Sequence, residues 1–470
     1  MITSPVFRGK RYAVLGLARS GVATVEALLA SGASVVAWDS DEAKRHALQA
    51  PPLQGRGWGG ASDLGEPLVD RPHPPTPSPE GEGEPSFADP LEIDLTGFDG
   101  VVVSPGVPLN KHPIADHARK AGVPVIGDIE LFALARPSLP PHKVVGITGT
   151  NGKSTTTALI HHILETAGVP TLMGGNIGLP ILSQNPLPEG GVYVLELSSY
   201  QIDLTFSLDC DVAVLTNITP DHLDRYDGFE DYLASKARLF EMQADPHVAV
   251  ITYDDPTLER LVLSSIGVAN IYQTAGGEVV DHSLHGWGQS YQAEWPSLQG
   301  PHNAQNAACA IATCRSLDIS DVFIDQGLRT YPGLPHRMER VAEKGRVLYV
   351  NDSKATNATA TAPALAAYPK IHWILGGLPK TDDLDDCAPF FGHVLAGYTI
   401  GQAGPMFAQI LRLAGKPVTE SGTLVQAVND AHAVAQPGEV VMLSPACASF
   451  DQFKDYEARG EAFRAAVGAL

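Results

Sequence analysis

The sequence lacks the features typical of secreted disulfide-rich proteins, zinc-binding proteins and membrane proteins. Its five cysteines are scattered and form no CxxC pair, which argues against a zinc site or a disulfide framework. Basic residues are not in excess: the formal net charge is −21, which argues against general binding to nucleic acid or a membrane surface. No apolar run is long enough to cross a bilayer, and no signal core precedes residue 16. We expect a cytoplasmic monomer with small-molecule ligands and no nucleic-acid or membrane partner.

What the sequence does contain is material for several folded cores. Hydrophobic residues make up 44% and charged residues 18% of the 470 residues, as in globular proteins. A chain of this length exceeds one ordinary core, so two or three domains are expected. Residues 71–85 depart from this composition because they are rich in Pro, Gly and Glu. We predict a disordered surface insertion there, at about residues 70–90.

Short apolar, β-branched runs alternate with helical patterns along the chain. Such runs are typical of buried parallel strands. The predicted strands are residues 11–16, 34–39, 100–104, 143–148, 192–197, 212–216, 248–252, 347–352, 371–375, 396–400 and 439–443. A proline-rich linker at 136–142 separates the first group from the second, and the third group begins near His336. We predict an α/β fold with three domains, 1–140, 141–335 and 336–470, and mostly parallel sheets.

Residues 146–155, GITGTNGKST, carry the strongest chemical signal. They follow a predicted strand and precede a predicted helix, so backbone N–H groups and the helix N-terminus can surround a phosphate chain. Lys153 can reach terminal phosphates, and the Ser154 hydroxyl can touch Mg²⁺. The pattern G-x-x-x-x-G-K-[ST] is not met in full, because Ile147 stands at its first glycine. The predicted phosphate-binding residues are Gly149, Thr150, Asn151, Gly152, Lys153, Ser154 and Thr155.

A second glycine-rich loop, residues 16–21 (GLARSG), follows the first predicted strand and opens a helix. Together with Asp39 at the end of the next strand, it suggests a dinucleotide-binding fold. Ala18 replaces the middle glycine, which degrades the loop for close approach of a pyrophosphate. An NAD-binding oxidoreductase is therefore an alternative that Ala18 and the phosphate loop both disfavour.

Three further residues of the second domain suit metal-assisted phosphoryl transfer. Glu196 ends a predicted strand, where a carboxylate faces the ligand crevice; His222 lies in TPDHLDRY and Lys236 in YLASKARLF. Singly, each has an ordinary explanation, and a lone helical lysine is usually solvated. Together with the phosphate loop they fit transfer of a phosphoryl group to a carboxylate, which needs Mg²⁺ and clamped phosphates.

The segments TGTNGKST, ELSSYQ, DHLDRY, SKAR and HNAQN, in this order, resemble those of the Mur ligases and the related folylpolyglutamate synthetases. The resemblance covers nearly the whole chain except the Pro-rich insertion. It implies an ATP- and Mg²⁺-dependent ligase that joins an amino acid to a carboxylate through an acyl phosphate. It also implies a Rossmann-like UDP-binding domain, a central P-loop ATPase-like domain and a Rossmann-like amino-acid-binding domain.

The resemblance assigns roles in the later domains. It implies that Glu196 and His222 bind a second Mg²⁺ and that Lys236 is carbamylated, becoming an anionic ligand. With Lys153, these three residues form the implied catalytic set. The remaining implied contacts are Asn176 near the substrate and metals, Asn306 at adenine, Arg337 at the phosphates and Asp352 at the ribose.

Two features narrow the resemblance to the D-glutamate-adding branch of the family. Arg19, Ser20, Asp39 and Ser104 fall where members adding the second amino acid hold UDP. The segments DSKATN, GGLPK and SPACASFDQFKDY also resemble that branch. The implied glutamate-binding residues are Lys354, Thr356, Lys380, Ser449, Phe450 and Tyr456, the last standing where a phenylalanine is familiar. The implied reaction adds D-glutamate to UDP-N-acetylmuramoyl-L-alanine in peptidoglycan synthesis, and so serves cell shape and division.

Two further alternatives remain open. A related Mur-type ligase could use L-glutamate or another amino acid, since pocket motifs do not set stereochemistry. A nucleotide-binding regulator without catalysis is disfavoured, because Lys153, Glu196, His222 and Lys236 are all intact.

Overall fold

A computed structural model describes residues 1–49, 84–221, 224–252, 270–275, 278–280, 292 and 294–470. Residues 70–83 of the predicted insertion and His222 lie outside the described residues. Within the same predicted insertion, Ser86–Phe87 forms a strand, so the prediction of disorder is wrong there. Within the described ranges, no helix combines the length and the apolar character needed to cross a membrane.

The first domain contains five short parallel strands. They are β1 Arg11–Leu15, β2 Ser34–Trp38, β3 Ser86–Phe87, β4 Gly100–Val103 and β5 Val125–Ile126. The helices are α1 Arg19–Ala30, α2 Glu42–Gln49, α3 Ile114–Ala121 and α4 Asp128–Ala135. The sheet order is β3-β2-β1-β4-β5, so β1 pairs with β2 on one side and β4 on the other. A crevice therefore opens at the carboxyl end of β1.

The central domain carries a seven-stranded sheet. Its strands are β6 His142–Thr148, β7 Thr171–Gly175, β8 Gly191–Glu196, β9 Val212–Leu215, β10 Val248–Thr252, β11 Asn270–Ala275 and β12 Glu278–Val280. The helices are α5 Lys153–Thr166, α6 Ser199–Asp203, α7 Phe229–Glu241, α8 Pro301–Ser316 and α9 Asp321–Thr330. The order is β12-β11-β10-β9-β6-β8-β7, which places β6 between β9 and β8. The phosphate loop leaves this point of the sheet.

The third domain has a six-stranded sheet. Its strands are β13 Glu339–Lys344, β14 Val347–Asn351, β15 Ile371–Gly376, β16 Val394–Ile400, β17 Val418–Gly422 and β18 Val440–Leu443. The helices are α10 Ala358–Ala366, α11 Gly404–Leu413, α12 Leu424–Val434 and α13 Tyr456–Gly468. The order is β13-β14-β18-β15-β16-β17, so the carboxyl ends of β14 and β18 lie side by side.

The α/β prediction with mostly parallel sheets is confirmed. Among the described strand pairs, β11–β12 and β13–β14 are antiparallel and the others are parallel. Seven of the described strands were not predicted from the sequence: β3, β5, β7, β11, β12, β13 and β17. All of these except β11 lie at sheet edges, and β7, β13 and β17 are partly exposed. Each sheet lies within one predicted domain, and the exact domain limits stay a prediction.

The cores join the first two domains and leave the third separate. One cluster of buried side chains contains Ile2 and Phe132 of the first domain together with Leu182 and Tyr193 of the central domain. The rings of Phe132 and Tyr193 lie 5.1 Å apart, edge to face. The two described clusters of the third domain begin at Met338 and draw on no earlier residue. The first two sheets therefore share a core.

Candidate active site

The phosphate loop follows β6 and ends where α5 begins at Lys153. Gly149 and Gly152 have φ of +142° and +82°. A Cβ at Gly149 would lie 2.1 Å from Oγ1 of Thr216, and one at Gly152 would lie 2.1 Å from Oδ1 of Asn306. Both positions therefore require glycine, for conformation and for space.

Lys153 folds back over this loop. Its Nζ donates to the carbonyl oxygens of Gly149 at 2.9 Å and Thr150 at 2.8 Å. Burial lowers the pKa of Lys153 below its ordinary value, while the carboxylate of Glu196 opposes that shift. The lysine thus holds a cationic group at the loop that would receive a phosphate chain.

Sequence reasoning missed the residues that hold the loop in place. Asn217 accepts from Thr150 N through its carbonyl and from Asn151 N through Oδ1, both at 2.9 Å. Thr216 Oγ1 donates to the carbonyl of Asn151 at 2.7 Å. The hydroxyls of Thr150 and Tyr232 are 3.2 Å apart. The rule that selected Glu196, a polar residue at a strand's carboxyl end, would also have selected Asn217 after β9.

Glu196 ends β8 and is 2% exposed. Its Oε1 accepts from Nδ2 of Asn176 at 2.8 Å, so the structure brings these two predicted residues together. Its Oε2 is buried and has no hydrogen-bond partner among the described residues. An unpaired buried carboxylate oxygen is costly, and a bound cation would satisfy it.

Lys236 reaches the same place from α7. It is 2% exposed, and its Nζ donates to the carbonyl of Gly149 at 2.9 Å. Nζ also lies 4.7 Å from the ring centre of Tyr232. Burial, and then the charge of Lys153, lowers the pKa of Lys236 to about 7. A large fraction of the amine is therefore uncharged at neutral pH.

The described residues contain no group of three or more His, Cys, Asp and Glu side chains placed to hold a metal. Of the predicted metal ligands, Glu196 fits, Ser154 is buried at the start of α5, and His222 lies outside the described residues. Unmodified Lys236 is a hydrogen-bond donor and cannot coordinate a cation while protonated.

A cavity of about 180 Å³ lies between the central and third domains. Its lining includes six of the predicted nucleotide-binding residues: Asn151, Gly152, Thr155, Asn306, Arg337 and Asp352. His302 also lines it, and burial lowers the pKa of this imidazole to about 4. The structure thus gathers residues from both domains around one space beside the phosphate loop.

Asp352 follows β14 and is 6% exposed. Its carboxylate accepts from Ser444 Oγ at 2.7 Å and from the backbone N–H of Met338 at 3.2 Å. Burial raises the pKa of Asp352 to about 7. The carboxyl group therefore sits at the edge of ionisation near neutral pH.

The predicted glutamate-binding residues lie in the third domain, on loops and, for Tyr456, at the start of α13. Lys354 lines the nucleotide cavity, and its Nζ is 3.8 Å from the ring centre of Tyr456. Lys380 Nζ donates to Thr356 Oγ1 at 3.1 Å. The contact with Lys354 uses the ring face of Tyr456, which a phenylalanine would also provide. Ser449 is 2% exposed and Phe450 is 69% exposed on the loop after β18.

In the first domain, Asp39 and Ser104 hold the glycine-rich loop. Ser104 Oγ donates to the carbonyl of Gly16 at 2.8 Å, and Asp39 Oδ2 accepts from Leu17 N at 2.7 Å. Burial alone would raise the pKa of Asp39, but backbone N–H groups and Lys44 hold it below its ordinary value. Ala18 has φ of −74°, so it adopts this position without strain.

A second cavity, of about 290 Å³, lies between the first and central domains. Arg19, Ser20 and Asn176 line it together with Pro105. The Arg19 guanidinium donates to the carbonyl of Gly178 at 2.8 Å. Two of the four predicted UDP-binding residues, Arg19 and Ser20, therefore share a cleft with Asn176, the partner of Glu196.

The sequence matches known protein families and relatives. Residues 147–314 match the Mur ligase middle domain, and residues 336–447 match the Mur ligase, glutamate ligase domain. The chain is 62% identical to UDP-N-acetylmuramoylalanine--D-glutamate ligase of Novosphingobium aromaticivorans, over 100% of this chain and 97% of the relative. It is 59% identical to the protein of the same name from Sphingopyxis alaskensis, over 100% of both.

A solved structure extends the likeness to the fold. UDP-N-acetylmuramate-alanine ligase from Thermotoga maritima superposes with a TM-score of 0.56 at 16% identity, covering 98% of this chain and 99% of that chain. At that identity the likeness concerns the fold alone. The sequence matches along the full length establish more: this chain belongs to the Mur ligase family.

Proposed function

We propose that the chain is an ATP-dependent ligase that adds D-glutamate to UDP-N-acetylmuramoyl-L-alanine in peptidoglycan precursor synthesis. The observation that carries this proposal is the convergence of two clefts on one centre. One cleft lies between the first and central domains and the other between the central and third domains. Asn176 of the first cleft donates to Glu196, and Asn151 and Gly152 of the second cleft belong to the loop that leads into Lys153. The charges of Lys153 and Glu196 act on each other and on Lys236. The high identity to relatives that carry this activity in their names supports it.

ATP occupies the cavity between the central and third domains. Its phosphates lie on the loop of residues 149–155, where backbone N–H groups and the start of α5 favour anions. Asn306 contacts the adenine and Asp352 the ribose, while Arg337 approaches the phosphates. All three side chains line this cavity.

The first step transfers a phosphoryl group. The alanyl carboxylate of the UDP-linked substrate attacks the γ-phosphorus of ATP, the bond to the β-phosphate oxygen breaks, and ADP leaves. Lys153 and Arg337 offset the charge on the phosphoryl oxygens in the transition state. The substrate's UDP part rests on Arg19, Ser20 and the loop that Asp39 and Ser104 hold.

The second step forms the amide. The amine of D-glutamate attacks the acyl carbon, loses a proton, and the tetrahedral intermediate collapses with release of phosphate. Lys354 and Lys380 suit the two carboxylates of glutamate. Thr356, Ser449, Phe450 and Tyr456 complete the pocket. Closure of the third domain would exclude water and protect the acyl phosphate from hydrolysis.

The buried, unpaired Oε2 of Glu196 suits a Mg²⁺ ion. By the family resemblance, His222 and a modified Lys236 would complete the ligands of that ion, and the Ser154 hydroxyl would hold another Mg²⁺. When bound, Mg²⁺ would neutralise phosphate charge. Carbamylation needs the uncharged amine, and the lowered pKa of Lys236 provides it. The amine attacks CO₂, an N–C bond forms, and one proton passes to solvent, which leaves an anionic carbamate.

Phosphate release tests the function. The purified protein is given ATP and UDP-N-acetylmuramoyl-L-alanine with D-glutamate, L-glutamate or no amino acid, and the product is weighed by mass spectrometry. We expect release that requires D-glutamate, with a product of the expected mass. Dependence on L-glutamate would keep the ligase class and change the substrate. If the folded protein released no phosphate in an amino-acid-dependent way, the proposed function would be rejected.

The carbamate has its own test. Lys236→Ala should be inactive, and short carboxylic acids added to it should restore part of the activity by replacing the missing anion. Lys143→Ala, which changes an exposed lysine at the start of the central sheet, is the matched control and should behave as the wild type. A Lys236→Ala protein that no carboxylic acid restores would count against the carbamate.

A further inference from the structure

Arg225 of the central domain binds the backbone of the first domain. Its Nη2 donates to the carbonyl of Gly106 at 3.2 Å and its Nη1 to the carbonyl of Val107 at 3.3 Å. The guanidinium carbon lies 4.6 Å from the ring centre of Tyr200. Two donors and one stacked face fix the plane of the guanidinium, which a lysine ammonium could not reproduce.

The contact reaches the reaction centre on the central-domain side. Tyr200 lies in α6, four residues after Glu196, and a capping box between Ser198 and Gln201 fixes the start of that helix. Tyr200 also stacks on Tyr226, with centroids 6.1 Å apart and ring planes 14° apart. Arg225 is therefore seated on the segment that leads directly from the buried carboxylate of Glu196.

On the other side, the contact reaches the predicted UDP-binding loop. Gly106 and Val107 belong to the loop of residues 104–107, in which the Ser104 hydroxyl donates a hydrogen bond to the carbonyl of Gly16. Pro105 of the same loop forms part of the wall of the substrate cleft. Nearby, Asn110 Nδ2 donates to the carbonyl of Asp224 at 3.1 Å, a second tie between the same two segments.

We propose that Arg225 is a positioning residue that sets the register between the UDP-binding loop and the phosphoryl-transfer centre. It would bring the carboxylate of the UDP-linked substrate into line with the γ-phosphate of ATP. This inference rests on the proposed function. It assigns Arg225 no contact with substrate, because its described hydrogen bonds go to backbone carbonyls of this chain.

The test compares Arg225 with a matched arginine. Arg238 donates to the carbonyls of Asp203 and Thr205 at 3.2 and 2.8 Å and lies 5.1 Å from the ring centre of Phe206. Its chemistry is the same, but all its partners belong to the central domain. The variants Arg225→Ala, Arg225→Lys and Arg238→Ala are compared with the wild type for kcat, for KM of each substrate, and for the Kd of UDP alone.

A positioning role predicts a split among these constants. Arg225→Ala should lower kcat by about ten- to a hundredfold, because small misplacements of reacting groups carry large penalties. The Kd of UDP and the KM of ATP should stay within about twofold, since their binding groups remain. Arg225→Lys should keep little of the lost rate, because it lacks the planar fork. Arg238→Ala should keep kcat within about twofold of the wild type.

Two results would overturn the inference. If Arg225→Ala weakened UDP binding as much as it lowered kcat/KM, Arg225 would be a ligand contact. If its kcat matched that of Arg238→Ala, it would have no special role. Amide hydrogen exchange of residues 104–110 supplies a readout independent of turnover. We expect faster exchange in Arg225→Ala than in Arg238→Ala, and equal exchange in the two variants would also reject the positioning role of Arg225. A wild type without ligase activity would instead reject the proposed function.

Discussion

The joint between the first and central domains differs from the joint between the central and third domains. The first is a continuous core with backbone pairing: Ile2 N donates to the carbonyl of Leu182 at 3.0 Å, and Gly127 N to that of Leu204 at 2.9 Å. The second surrounds the nucleotide cavity with polar and charged groups such as Arg337, and the described hydrophobic clusters do not cross it.

The two joints differ in a way that suits two tasks of a ligase that binds three substrates: holding the reacting groups in place and admitting ATP. A shared core fixes the UDP-binding loop against the phosphate loop, since packed interiors deform little. A polar joint that no hydrophobic cluster of the described residues spans permits the third domain to reorient, which is the default for interfaces of this kind. We infer that the first joint sets geometry and that the second admits and closes over ATP. Substitutions on the two sides should therefore fail in different ways.

Arg337→Ala should give the largest effect, and it should be an effect on catalysis. Arg337 acts electrostatically on Lys153 across the second joint and on Lys354 within the third domain. Removing it takes one cation from the phosphates, and we expect a loss of about a hundred- to a thousandfold in kcat/KM. Phosphate release measures this, with thermal unfolding alongside.

The matched control is Arg340→Ala, three residues after Arg337 in β13, where Arg340 Nη2 lies 3.7 Å from Glu343 Oε2 on a partly exposed surface. It should leave activity and thermal stability near those of the wild type. An Arg337→Ala protein that unfolds many degrees earlier, with activity lost only in proportion, would place Arg337 in the same class as the residues of the first joint.

Glu130→Ala, a change at the first joint, should lower stability and leave catalysis nearly unchanged. The carboxylate is 5% exposed and accepts from Phe206 N at 2.6 Å, Ser207 N at 2.9 Å and Ser207 Oγ at 2.7 Å. Its removal leaves these partly buried donors without their acceptor, so we expect the free energy of unfolding to fall by about 1–3 kcal/mol. Urea unfolding measures the loss, with exposed Glu165→Ala as the control.

Activity per folded molecule decides what the Glu130 result means. If the first joint sets geometry through a whole core, loss of one anchor should leave kcat within about threefold at a temperature where the protein is folded. A large fall in kcat with unchanged stability would show that this joint is as responsive as the second, and the contrast between the two would disappear.

The sequence predicted the buried parts of this architecture better than its edges. Strands such as β6 and β8 read as continuous apolar runs because both faces of a parallel sheet are covered. β17, VTESG, has exposed and half-buried residues in no clear alternation, so its pairing to β16 depends on tertiary contacts. β13 escaped notice for the same reason, since it pairs antiparallel at an edge with half-exposed residues.

For the candidate site, motifs located residues but not their connections. The phosphate loop and Glu196 could be found because ligands collect at the carboxyl ends of parallel strands. The same rule could have found Asn217, but not its hydrogen bonds to the loop. Those bonds, and the place of Arg225 between the domains, depend on which segments meet in space. Nothing local in the sequence encodes that Arg225 stacks on Tyr200 and binds carbonyls more than a hundred residues earlier.

Asp352→Asn should change how stability depends on pH on the third domain's side of the second joint. Burial raises the pKa of Asp352 from 3.8 to about 7, so the folded state favours the protonated form. Its contribution to stability is complete below pH 3.8 and is lost as pH rises through about 7. The asparagine variant escapes that loss. We expect its stability relative to wild type to rise by about 2–4 kcal/mol between pH 4 and pH 8 in urea unfolding; a pH-independent difference would contradict this.

Asp128→Asn should show a smaller effect of the same sign in the first domain. Asp128 is 5% exposed, its Oδ1 has no hydrogen-bond partner among the described residues, and burial raises its pKa from 3.8 to about 6. The stability it contributes is therefore present below pH 3.8 and lost by about pH 6, a narrower window. We expect a relative gain of about 1–3 kcal/mol over that range, complete at a lower pH than the gain of Asp352→Asn.

Which unfolding transition shifts is more informative than the size of the shift. If the first two domains share one core, Asp128→Asn should move the same unfolding transition as Glu130→Ala, while Asp352→Asn moves a separate one. Three variants shifting a single common transition would show that the polar joint couples the third domain as tightly as the core couples the first.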